Sequence, residues 1–584
     1  MKKLSAIALD YDGTIALNDT VDGAVRDAIA ALRTRGVTVL LATGRILDDL
    51  RRAAGDLHFV DAVIAENGAV LHFPESGHTS SLAPPVPPAF LDELSRRGIT
   101  CRAGQSLVDA AAPDAMQLLD VIRQLELPLV LIFNKGRVMT MPQGVSKGTG
   151  LHAALDTLRL SARNTLAIGD AENDHELLRL AEVGAAVPWA SPALRAAADL
   201  VLPGEGIGAL VTAFRELART GALPSAASTR RRLLLGYTEG GREFWLGARG
   251  RNVLIAGDTK SGKSWVAGLL CEQLILHGYC VCVIDPEGDY RSLEALPGVT
   301  LLGGDDPPPT PRQLMRALRY PDRSVVIDLS RQPQDAKRAY IHSVLPALNV
   351  IRQRTGLPHR IVLDEAHYFL HDGDSARLLD LERDGYTVIT YCASRLPKAL
   401  LAATEVIIVT CESNPNEVEA LRRLCDRCPT GGTSNWDLLR HLRPGQAAAV
   451  PITAETEGRV VLLTVAKRLT PHVRHRQKYV DVPVSEGQAF VFMNGAAVLS
   501  RVRTLRQFVH HMERVPAAVV DPYVQRCDFS RWLRDVYGDY ALAADLRAIE
   551  TEHRMSPSPD TVAKIVDAVR SRYELLDEPL AAVG

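Results

Sequence analysis

The sequence predicts an α/β protein with two parallel-sheet domains, the first of them Rossmann-like, followed by a small, mainly helical C-terminal module. Short apolar runs of strand length alternate with amphipathic helical stretches between residues 1 and 222, and again between 232 and 470. This alternation is typical of parallel βαβ units. Apolar residues recur at helical spacing after residue 490, which predicts the last module.

The overall composition is that of a cytoplasmic protein. The chain has 584 residues, a net charge of −2 and 46% hydrophobic residues. At about 150 residues each, this length corresponds to three or four domains. The charge balance gives no overall attraction to nucleic acid or membranes, and no apolar run reaches the roughly 18 residues of a membrane-spanning helix. Nine scattered cysteines predict reduced thiols, and the single CxxC pair, Cys425 and Cys428, lacks the second ligand pair of a zinc site.

The first centre of polar residues is Asp10-Tyr11-Asp12-Gly13-Thr14, directly after the apolar run 6–9. The Asp10 carboxylate can accept a phosphoryl group and form an acyl-phosphate. Asp12, two residues later, can act as acid and base. The alternative is an ordinary loop with two hydrated aspartates, and the residues downstream decide between the two.

The residues expected at the same sheet edge favour phosphoryl chemistry. Thr43 follows the apolar run 37–41, Lys147 opens a predicted helix, and Asp170 and Asp174 follow the run 165–168. Loops at the carboxyl ends of parallel strands gather at one edge. A hard cation such as Mg²⁺ prefers carboxylate and phosphate oxygens, and a phosphoryl transition state is stabilised by a lysine and by hydroxyl or amide donors.

These motifs, DYDGT, ATGR, the helix start at Lys147 and GDAEND, resemble the four motifs of the haloacid dehalogenase superfamily of phosphatases. The insertion between the second and third motifs resembles the type IIB cap of its Cof-type branch. The resemblance implies that Asp10 is the nucleophile and that Asp12 is the general acid and base. It further implies a phosphate site of Thr43, Gly44, Lys147 and Asn173, and a Mg²⁺ site of Asp10, Asp12 (through its backbone carbonyl) and Asp170, with Asp174 either ligating the ion or orienting the site.

The resemblance also implies the substrate class and the domain bounds. The substrate would be a small phosphate ester of the sugar-phosphate or phosphoglycolate type, selected by the cap, and a hexose phosphomutase is less favoured. The hydrolase domain spans 1–222, with its core at 1–70 and 145–222 and its cap at 71–144. Residues 223–231 are expected to be a linker.

A second centre follows the apolar strand 252–256. The pattern GxxxxGKS precedes a predicted helix, the context of a phosphate-binding P-loop, and its alternative is a glycine-rich turn that only looks similar. Lys263 would reach the terminal phosphates of a nucleotide, and Ser264 would bind Mg²⁺. The predicted nucleotide-binding residues are Gly257, Asp258, Thr259, Lys260, Ser261, Gly262, Lys263 and Ser264.

The apolar strand 359–363 runs into Asp364-Glu365-Ala366-His367, which suits a Walker B pair. Asp364 would hold Mg²⁺ through water, and Glu365 would polarise the attacking water, which favours hydrolysis over kinase chemistry. The run Val325–Asp328 also ends in an aspartate but lacks the following glutamate, and it is interpreted as a core strand.

Together, GDTKSGKS, DPEGDY at 285–290 and LDEAH resemble the HerA-like branch of P-loop ATPases over about residues 250–465. The resemblance implies ATP as ligand or substrate, and it raises a homo-oligomer through this domain and a nucleic-acid partner as expectations. The strand after Walker B, 387–393, is expected to end in Ser394 and Arg395, where the family carries a glutamine.

The basic run 467–478 is interpreted mainly as a domain-linking face, with nucleic acid or an acidic partner as the alternative. The leading hypothesis is therefore a Mg²⁺-dependent phosphatase (1–222) fused to an ATPase (232–470), followed by a helical module (471–584). Two alternatives stay open: a nucleic-acid motor with an accessory phosphatase fold, and a phosphatase gated by ATP.

Overall fold

This computed structural model describes residues 3–17, 19–134, 136–226, 230–248, 251–370, 378–425, 436–451, 460–471, 484, 486–494, 497–537 and 539–573. The chain forms two compact units, residues 1–472 and 473–584. Among the described residues, no helix is both long and apolar enough to cross a membrane. Cys428 and residues 472–478 of the basic run lie outside the described residues.

The chain begins with the strands and helices of the first domain's core. Its first strand is buried at every position, as expected of a central parallel strand. The first helix is capped by the Asp22 side chain and buries Val25, Ile29 and Leu32 along one face. These elements are β1 (Ala6–Asp10), β2 (Ala16–Leu17), β3 (Thr20–Val21), α1 (Gly23–Thr34), β4 (Thr38–Ala42), α2 (Leu47–Ala54), β5 (Ala62–Ala65), β6 (Val70–Phe73) and β7 (His78–Ser81).

A small α+β segment follows, as predicted for the cap. Its elements are α3 (Pro88–Arg96), β8 (Cys101–Ala103), β9 (Val108–Ala111), α4 (Ala115–Gln124), β10 (Leu129–Asn134) and β11 (Arg137–Pro142). The four strands form an antiparallel sheet in the order β10-β11-β9-β8. Phe90, Leu94, Leu118 and Val121 of the two helices pack on this sheet and form a separate small core.

The core then resumes with α5 (Lys147–Leu158), β12 (Thr165–Gly169), α6 (His175–Leu180), β13 (Val183–Ala186), α7 (Pro192–Ala197), β14 (Leu200–Val201) and α8 (Gly206–Thr220). The eight-stranded sheet has the order β14-β13-β12-β1-β4-β5-β6-β7. Its last two strands are antiparallel, and they occupy 70–81, a segment that the sequence assigned largely to the cap. The cap sheet therefore begins only after β7, and residues 70–81 belong to the core sheet.

The second domain contains an eleven-stranded sheet. Its strands are β15 (Arg232–Thr238), β16 (Glu243–Gly247), β17 (Val253–Ala256), β18 (Val281–Asp285), β19 (Val299–Gly303), β20 (Ser324–Asp328), β21 (Arg360–Leu363), β22 (Tyr386–Thr390), β23 (Val406–Val409), β24 (Gln446–Pro451) and β25 (Val461–Val465). Their order is β16-β15-β25-β24-β23-β17-β22-β21-β18-β20-β19. The predicted core strand ending at Asp328 is confirmed as β20.

The helices of this domain are α9 (Lys263–Leu276), α10 (Pro311–Ala317), α11 (Gln334–Thr355), α12 (Lys398–Ala402) and α13 (Pro415–Cys425). Strand β22 pairs in parallel with β17 on one side and with β21 on the other. The loops that leave β17 and β21 therefore flank a single strand at the same sheet edge, which places the predicted P-loop near the predicted Walker B pair.

The second unit is mainly helical, as predicted, and starts with a β-hairpin. Its elements are β26 (Phe490–Asn494), β27 (Ala497–Val502), α14 (Leu505–Arg514), α15 (Ala517–Arg526), α16 (Asp528–Trp532), α17 (Tyr540–Met555) and α18 (Thr561–Tyr573). Its core is rich in aromatic side chains, including Phe492, Phe508 and Phe529. The buried Glu550 carboxylate accepts the backbone amides of Phe529 and Ser530 at the start of α16. The predicted fold class is thus confirmed in all three parts.

Candidate functional site

The first cluster of polar side chains lies at the carboxyl edge of the first sheet. Asp10 is the last residue of β1, Thr43 follows β4, and Asp170 follows β12. Strand β1 pairs in parallel with both β4 and β12, and Asp10 stands opposite Ala42. Three separate segments of the chain therefore deliver these side chains to one place, as the strand pattern predicts.

A buried ammonium group joins two of the carboxylates. Nζ of Lys147, the first residue of α5, lies 2.5 Å from Asp10 Oδ1 and 2.7 Å from Asp174 Oδ1. Asp174 Oδ2 accepts the backbone amides of Asp170 and Ala171 at 2.9 and 3.1 Å. Asp174 therefore ties the loop after β12 to the lysine, which is the orienting role that the family resemblance allows.

The carboxylates of Asp10, Asp170 and Asp174 form a candidate metal centre, because their oxygens lie within 4.8 Å of one another. Asp10 Oδ2 is buried and has no hydrogen-bond partner among the described residues. Burial, followed by the charges of Asp174 and Asp170, raises the pKa of Asp10 well above its usual value against the opposing effect of Lys147. A bound cation would relieve the mutual repulsion of these carboxylates, and an oxygen-rich donor set of this kind fits Mg²⁺.

The neighbouring charges also determine the protonation state of Lys147. Burial disfavours the ammonium form, but the neighbouring charges of Asp10 and Asp174 more than reverse this effect, so the pKa of Lys147 is raised. The lysine stays charged and can stabilise a phosphoryl group as well as the carboxylate that attacks it.

Asp12 has a different environment from Asp10. Arg45 Nε lies 2.8 Å from Asp12 Oδ2, and Arg45 Nη2 lies 2.6 Å from Asp12 Oδ1. The Arg45 guanidinium also contacts Asp19. The Asp12 side chain is 36% exposed, whereas that of Asp10 is only 4% exposed. Asp12 is therefore held in one orientation while remaining accessible to water and to a leaving group, which suits an acid and base.

The predicted phosphate-binding residues lie together beneath the cap. A Cβ atom on Gly44 would be 3.2 Å from Met139 Sδ and 3.5 Å from Asn173 Nδ2. Asn173 Nδ2 donates to Asn67 Oδ1 at 3.2 Å, and Asn173 Oδ1 is buried without a hydrogen-bond partner among the described residues. Thr43, which precedes Gly44, is fully buried. Gly44 therefore lies next to both Asn173 and Met139 of cap strand β11.

The cap is fastened to this edge by polar contacts. The Glu66 carboxylate accepts the backbone amides of Gln105 and Ser106 at 3.0 and 2.8 Å. Asn67 Nδ2 donates to Met141 Sδ at 3.5 Å. The cap therefore contacts this edge through the backbone amides of Gln105 and Ser106 and the thioether of Met141.

The second candidate site is built on the loop between β17 and α9. Gly257 has a φ of 146°, and a Cβ atom there would lie 2.5 Å from Thr410 Oγ1, so the position requires glycine. Lys263 Nζ donates to the carbonyls of Gly257 and Asp258 at 3.0 and 2.8 Å. Its ammonium thus lies over the loop, close to where the phosphates of a nucleotide would bind.

The predicted Walker B residues, Asp364 and Glu365, directly follow β21. Asp364 is fully buried, and its Oδ1 accepts the backbone amide of Glu365 at 3.0 Å. Glu365 has a left-handed backbone with φ of 48°, an unusual conformation that functional sites often maintain. His367 lies 3.7 Å from the Glu365 carboxylate and 3.0 Å from Thr390 Oγ1. The predicted water-activating residue is therefore next to the end of β22.

The predicted end of the strand that follows the predicted Walker B pair is wrong. Strand β22 ends at Thr390, three residues before the predicted end. Ser394 lies in a short 3₁₀ turn, where its amide and hydroxyl donate to the Glu417 carboxylate of α13. The sequence pattern could not place the strand end because the polar turn begins within a run of strand-forming residues. Thr390 is consequently the polar residue at the end of β22, the strand between β17 and β21.

Comparisons with known proteins agree with this geometry. Residues 7–84 and 112–211 match the family model of haloacid dehalogenase-like hydrolases. A phosphoglycolate phosphatase of Archaeoglobus fulgidus is 31% identical over 223 residues, which cover 35% of this chain and 95% of that protein. The chain belongs to the haloacid dehalogenase-like hydrolases. A phosphoglycolate phosphatase of Methanothermobacter thermautotrophicus is 28% identical over 232 residues, covering 36% of this chain and 99% of that protein.

Solved structures and a second family model complete the comparison. A Thermoplasma acidophilum protein has 19% identity and a TM-score of 0.33, covering 37% of this chain and 98% of its own. A subclass IIB sugar phosphatase of the haloacid dehalogenase superfamily has 17% identity and a TM-score of 0.31, covering 36% and 98%. Residues 249–306 match the central domain of the helicase HerA. The chain thus joins a haloacid dehalogenase-like hydrolase domain to a HerA-type domain.

Several residues of the two sites were not predicted from the sequence. In the haloacid dehalogenase-like domain they are Arg45, which holds Asp12, Glu66, which holds the cap, and Trp189, whose Nε1 donates to the Gly13 carbonyl at 2.6 Å. Arg45 stands in the quoted ATGR motif and could have been found there. Around the P-loop, Thr259 and Lys260 are exposed at the tip of the loop, whereas Asp289 and Glu412 approach it from other segments.

Glu412 gives the P-loop a predictable pH dependence. Burial, and then the charge of Asp258 in the loop, raise the pKa of Glu412 to about 8. Glu412 is therefore mostly neutral below this pH and mostly a carboxylate above it, which adds negative charge beside the predicted nucleotide-binding loop. We expect the affinity for ATP to fall severalfold between pH 7 and about 9, and Glu412→Gln to remove most of this fall. Titration with a fluorescent ATP analogue at several pH values measures the affinity. If the affinity of the wild type and of Glu412→Gln falls equally with pH, Glu412 is not the group responsible.

Proposed function

We propose that the first domain is a Mg²⁺-dependent phosphatase that hydrolyses a small phosphate ester through an aspartyl-phosphate on Asp10. The observation that carries this proposal is the buried contact of Lys147 with Asp10 and Asp174 beside Asp170. A carboxylate, a fixed ammonium and a candidate metal centre at one point are what in-line phosphoryl transfer to a protein carboxylate requires.

The reaction proceeds in two steps. A carboxylate oxygen of Asp10 attacks phosphorus, the bond to the ester oxygen breaks, and Asp12 gives its proton to the departing alkoxide. Asp12 then takes a proton from water as that water attacks the phosphoryl group, which releases inorganic phosphate and restores Asp10. Arg45 keeps Asp12 in reach, and Lys147 stabilises the phosphoryl oxygens. Mg²⁺, held by Asp10, Asp170 and the Asp12 carbonyl, would neutralise charge on the phosphoryl group when bound.

The substrate class follows from the cap and from the relatives. Cap strand β11 places Met139 next to Gly44 and Met141 next to Asn67, which supports an ester whose leaving group is small. Relatives of the same length as this domain are named phosphoglycolate phosphatases, which supports a small phosphorylated acid or sugar as the substrate. The described cysteines are free thiols, which supports a cytoplasmic location.

The nucleophile is tested by Asp10→Asn. Because the amide cannot attack phosphorus, we expect the rate of phosphate release from a panel of small phosphate esters with Mg²⁺ to fall more than about 1,000-fold. Asp27→Asn, on the exposed face of α1, is the matched control and should retain wild-type activity. Unchanged phosphate release by Asp10→Asn would refute the assignment of the nucleophile.

We infer further that the second domain binds and hydrolyses ATP. The support is the placement of Lys263 and Ser264 at the start of α9, with Asp364 and Glu365 at the end of β21 beyond one intervening strand. In this arrangement Ser264 would ligate the Mg²⁺ that accompanies the nucleotide, Asp364 would hold the ion through water, and Glu365 would orient the attacking water.

For the ATPase, the decisive variant is Lys263→Ala. It removes the ammonium above the loop, and we expect ATP turnover to fall at least about 100-fold. The control Lys398→Ala changes an exposed lysine of α12 and should leave turnover unaltered. Release of inorganic phosphate from ATP measures both, and wild-type turnover by the Lys263 variant would remove the assignment.

One alternative, a phosphatase gated by ATP, is favoured by the contacts between the two domains. The C-terminal carbonyls of α11 are covered by side chains of the phosphatase domain. Lys3 Nζ donates to the Gln353 carbonyl at 3.1 Å, and Ser5 Oγ and Asn164 Nδ2 donate to that of Thr355 at 3.2 and 3.4 Å. Without these hydrogen bonds, the carbonyls at the end of the helix would need water as their partner. The two domains therefore form a specific contact here.

A second contact joins the P-loop helix to the phosphatase core. The Tyr279 hydroxyl, three residues beyond α9, lies 3.0 Å from each carboxylate oxygen of Glu182. Glu182 is buried and also pairs with Arg163 and Arg231 at 3.7 and 4.0 Å. Helix α9 begins at the predicted nucleotide site, and Glu182 directly precedes β13 of the phosphatase sheet. A displacement of α9 on nucleotide binding would therefore act on the phosphatase core through Tyr279.

The gating proposal is tested by Tyr279→Phe. The variant removes one hydroxyl and leaves Glu182 its two arginines, so we expect the fold and both basal activities to persist within about twofold. The change in phosphatase rate on adding ATP, present in the wild type and in the control Tyr237→Phe, should disappear. If ATP changes the phosphatase rate of Tyr279→Phe as much as that of the wild type, the coupling between the domains does not pass through this contact.

A further inference from the structure

The loop after β18 is fixed by one buried carboxylate. Asp285 Oδ1 accepts the backbone amides of Glu287, Gly288 and Asp289 at 3.2, 2.7 and 3.2 Å, and its Oδ2 accepts that of Tyr290 at 2.9 Å. Asp285 is fully buried. Because four amides donate to this one carboxylate, the backbone of the loop is held in one conformation. The directions of its side chains are therefore fixed.

In this conformation the Asp289 side chain reaches the P-loop. Ser264 Oγ donates to Asp289 Oδ2 at 2.6 Å, a short, charge-assisted hydrogen bond. Asp289 is 4% exposed and Ser264 is 9% exposed, so water competes little for the contact. The hydroxyl has one proton, and when this proton points to Asp289 the oxygen lone pairs point elsewhere.

We propose that Asp289 is a positioning residue for the Mg²⁺ ion that accompanies the nucleotide. By accepting the Ser264 proton it turns the hydroxyl lone pairs toward the cation and increases their negative charge. The inference rests on the proposed ATP binding and extends it by assigning a role to the DPEGDY loop, which the catalytic scheme above does not use. Carboxylates that accept a hydrogen bond from a metal ligand typically change metal affinity 10- to 100-fold.

A purely structural role for Asp289 makes a different prediction. If Asp289 only held the loop, its loss would weaken nucleotide binding equally with and without Mg²⁺. If Asp289 orients Ser264 for the cation, its loss weakens only the part of nucleotide binding that depends on Mg²⁺. The two also differ in additivity, because a residue that acts through Ser264 can have no effect once the Ser264 hydroxyl has been removed.

The test measures binding of a fluorescent ATP analogue to the full chain over a range of Mg²⁺ concentrations and in EDTA. For Asp289→Asn we expect the Mg²⁺ concentration at half-maximal binding to rise about tenfold, with binding in EDTA unchanged. Ser264→Ala should show a similar rise, and the double variant Ser264→Ala/Asp289→Asn no further one. Asp289→Glu retains the carboxylate and should lie closer to the wild type, whereas Asp306→Asn, on an exposed loop, should match it.

Each result has one interpretation. Wild-type Mg²⁺ dependence in Asp289→Asn, or an equal loss of binding with and without Mg²⁺, would overturn the inference. Additive effects in the double variant would also overturn it, because Asp289 would then act independently of Ser264. Failure of the wild-type chain to bind the nucleotide at any Mg²⁺ concentration would instead reject the proposed ATP binding. Thermal denaturation of each variant identifies misfolding, in which case Asp289→Glu carries the comparison.

Discussion

Both candidate sites depend on one constraint, the meeting of the carboxyl ends of parallel strands at a single edge of each sheet. In the first domain, β1, β4 and β12 end in or before Asp10, Thr43 and Asp170. In the second, β17 and β21 end before the P-loop and Asp364, with β22 between them. Short loops at these ends bring together groups that are far apart in sequence. The chemistry differs between the domains, but the geometry that assembles it is the same.

The two sites place a buried lysine in different surroundings. In the first site the Lys147 ammonium contacts two of three clustered buried carboxylates, those of Asp10 and Asp174. At the P-loop the Lys263 ammonium donates to two backbone carbonyls of the loop itself. Burial strengthens these electrostatic interactions because the surrounding medium screens charge weakly. The ligands proposed for the two sites differ accordingly, a cation with a substrate phosphate in the first and nucleotide phosphates in the second.

Residues next to strand ends could be predicted from the sequence, whereas their partners from other segments could not. Asp10, Thr43, Asp170 and Asp364 follow apolar runs whose strand character is local, and their meeting follows from parallel pairing. The contacts of Arg45 with Asp12, of Glu66 with the cap loop and of Asp289 with Ser264 depend on three-dimensional approach. For the same reason, the end of β22 at Thr390 and the extension of the core sheet through 70–81 are set by pairing with neighbouring strands, which local pattern does not encode.

The contacts between the domains lie at the opposite ends of these strands. Ser5 and Asn164 directly precede β1 and β12, and Tyr279 precedes β18. Each strand of about five residues spans roughly 15 Å, so the two sets of catalytic groups are separated by on the order of 30 Å or more. A phosphoryl group cannot pass directly between sites that face away from each other. If the two activities influence each other, the influence must pass through the sheets and α9, and the domain contacts at Glu182 and at the end of α11 are where it would cross.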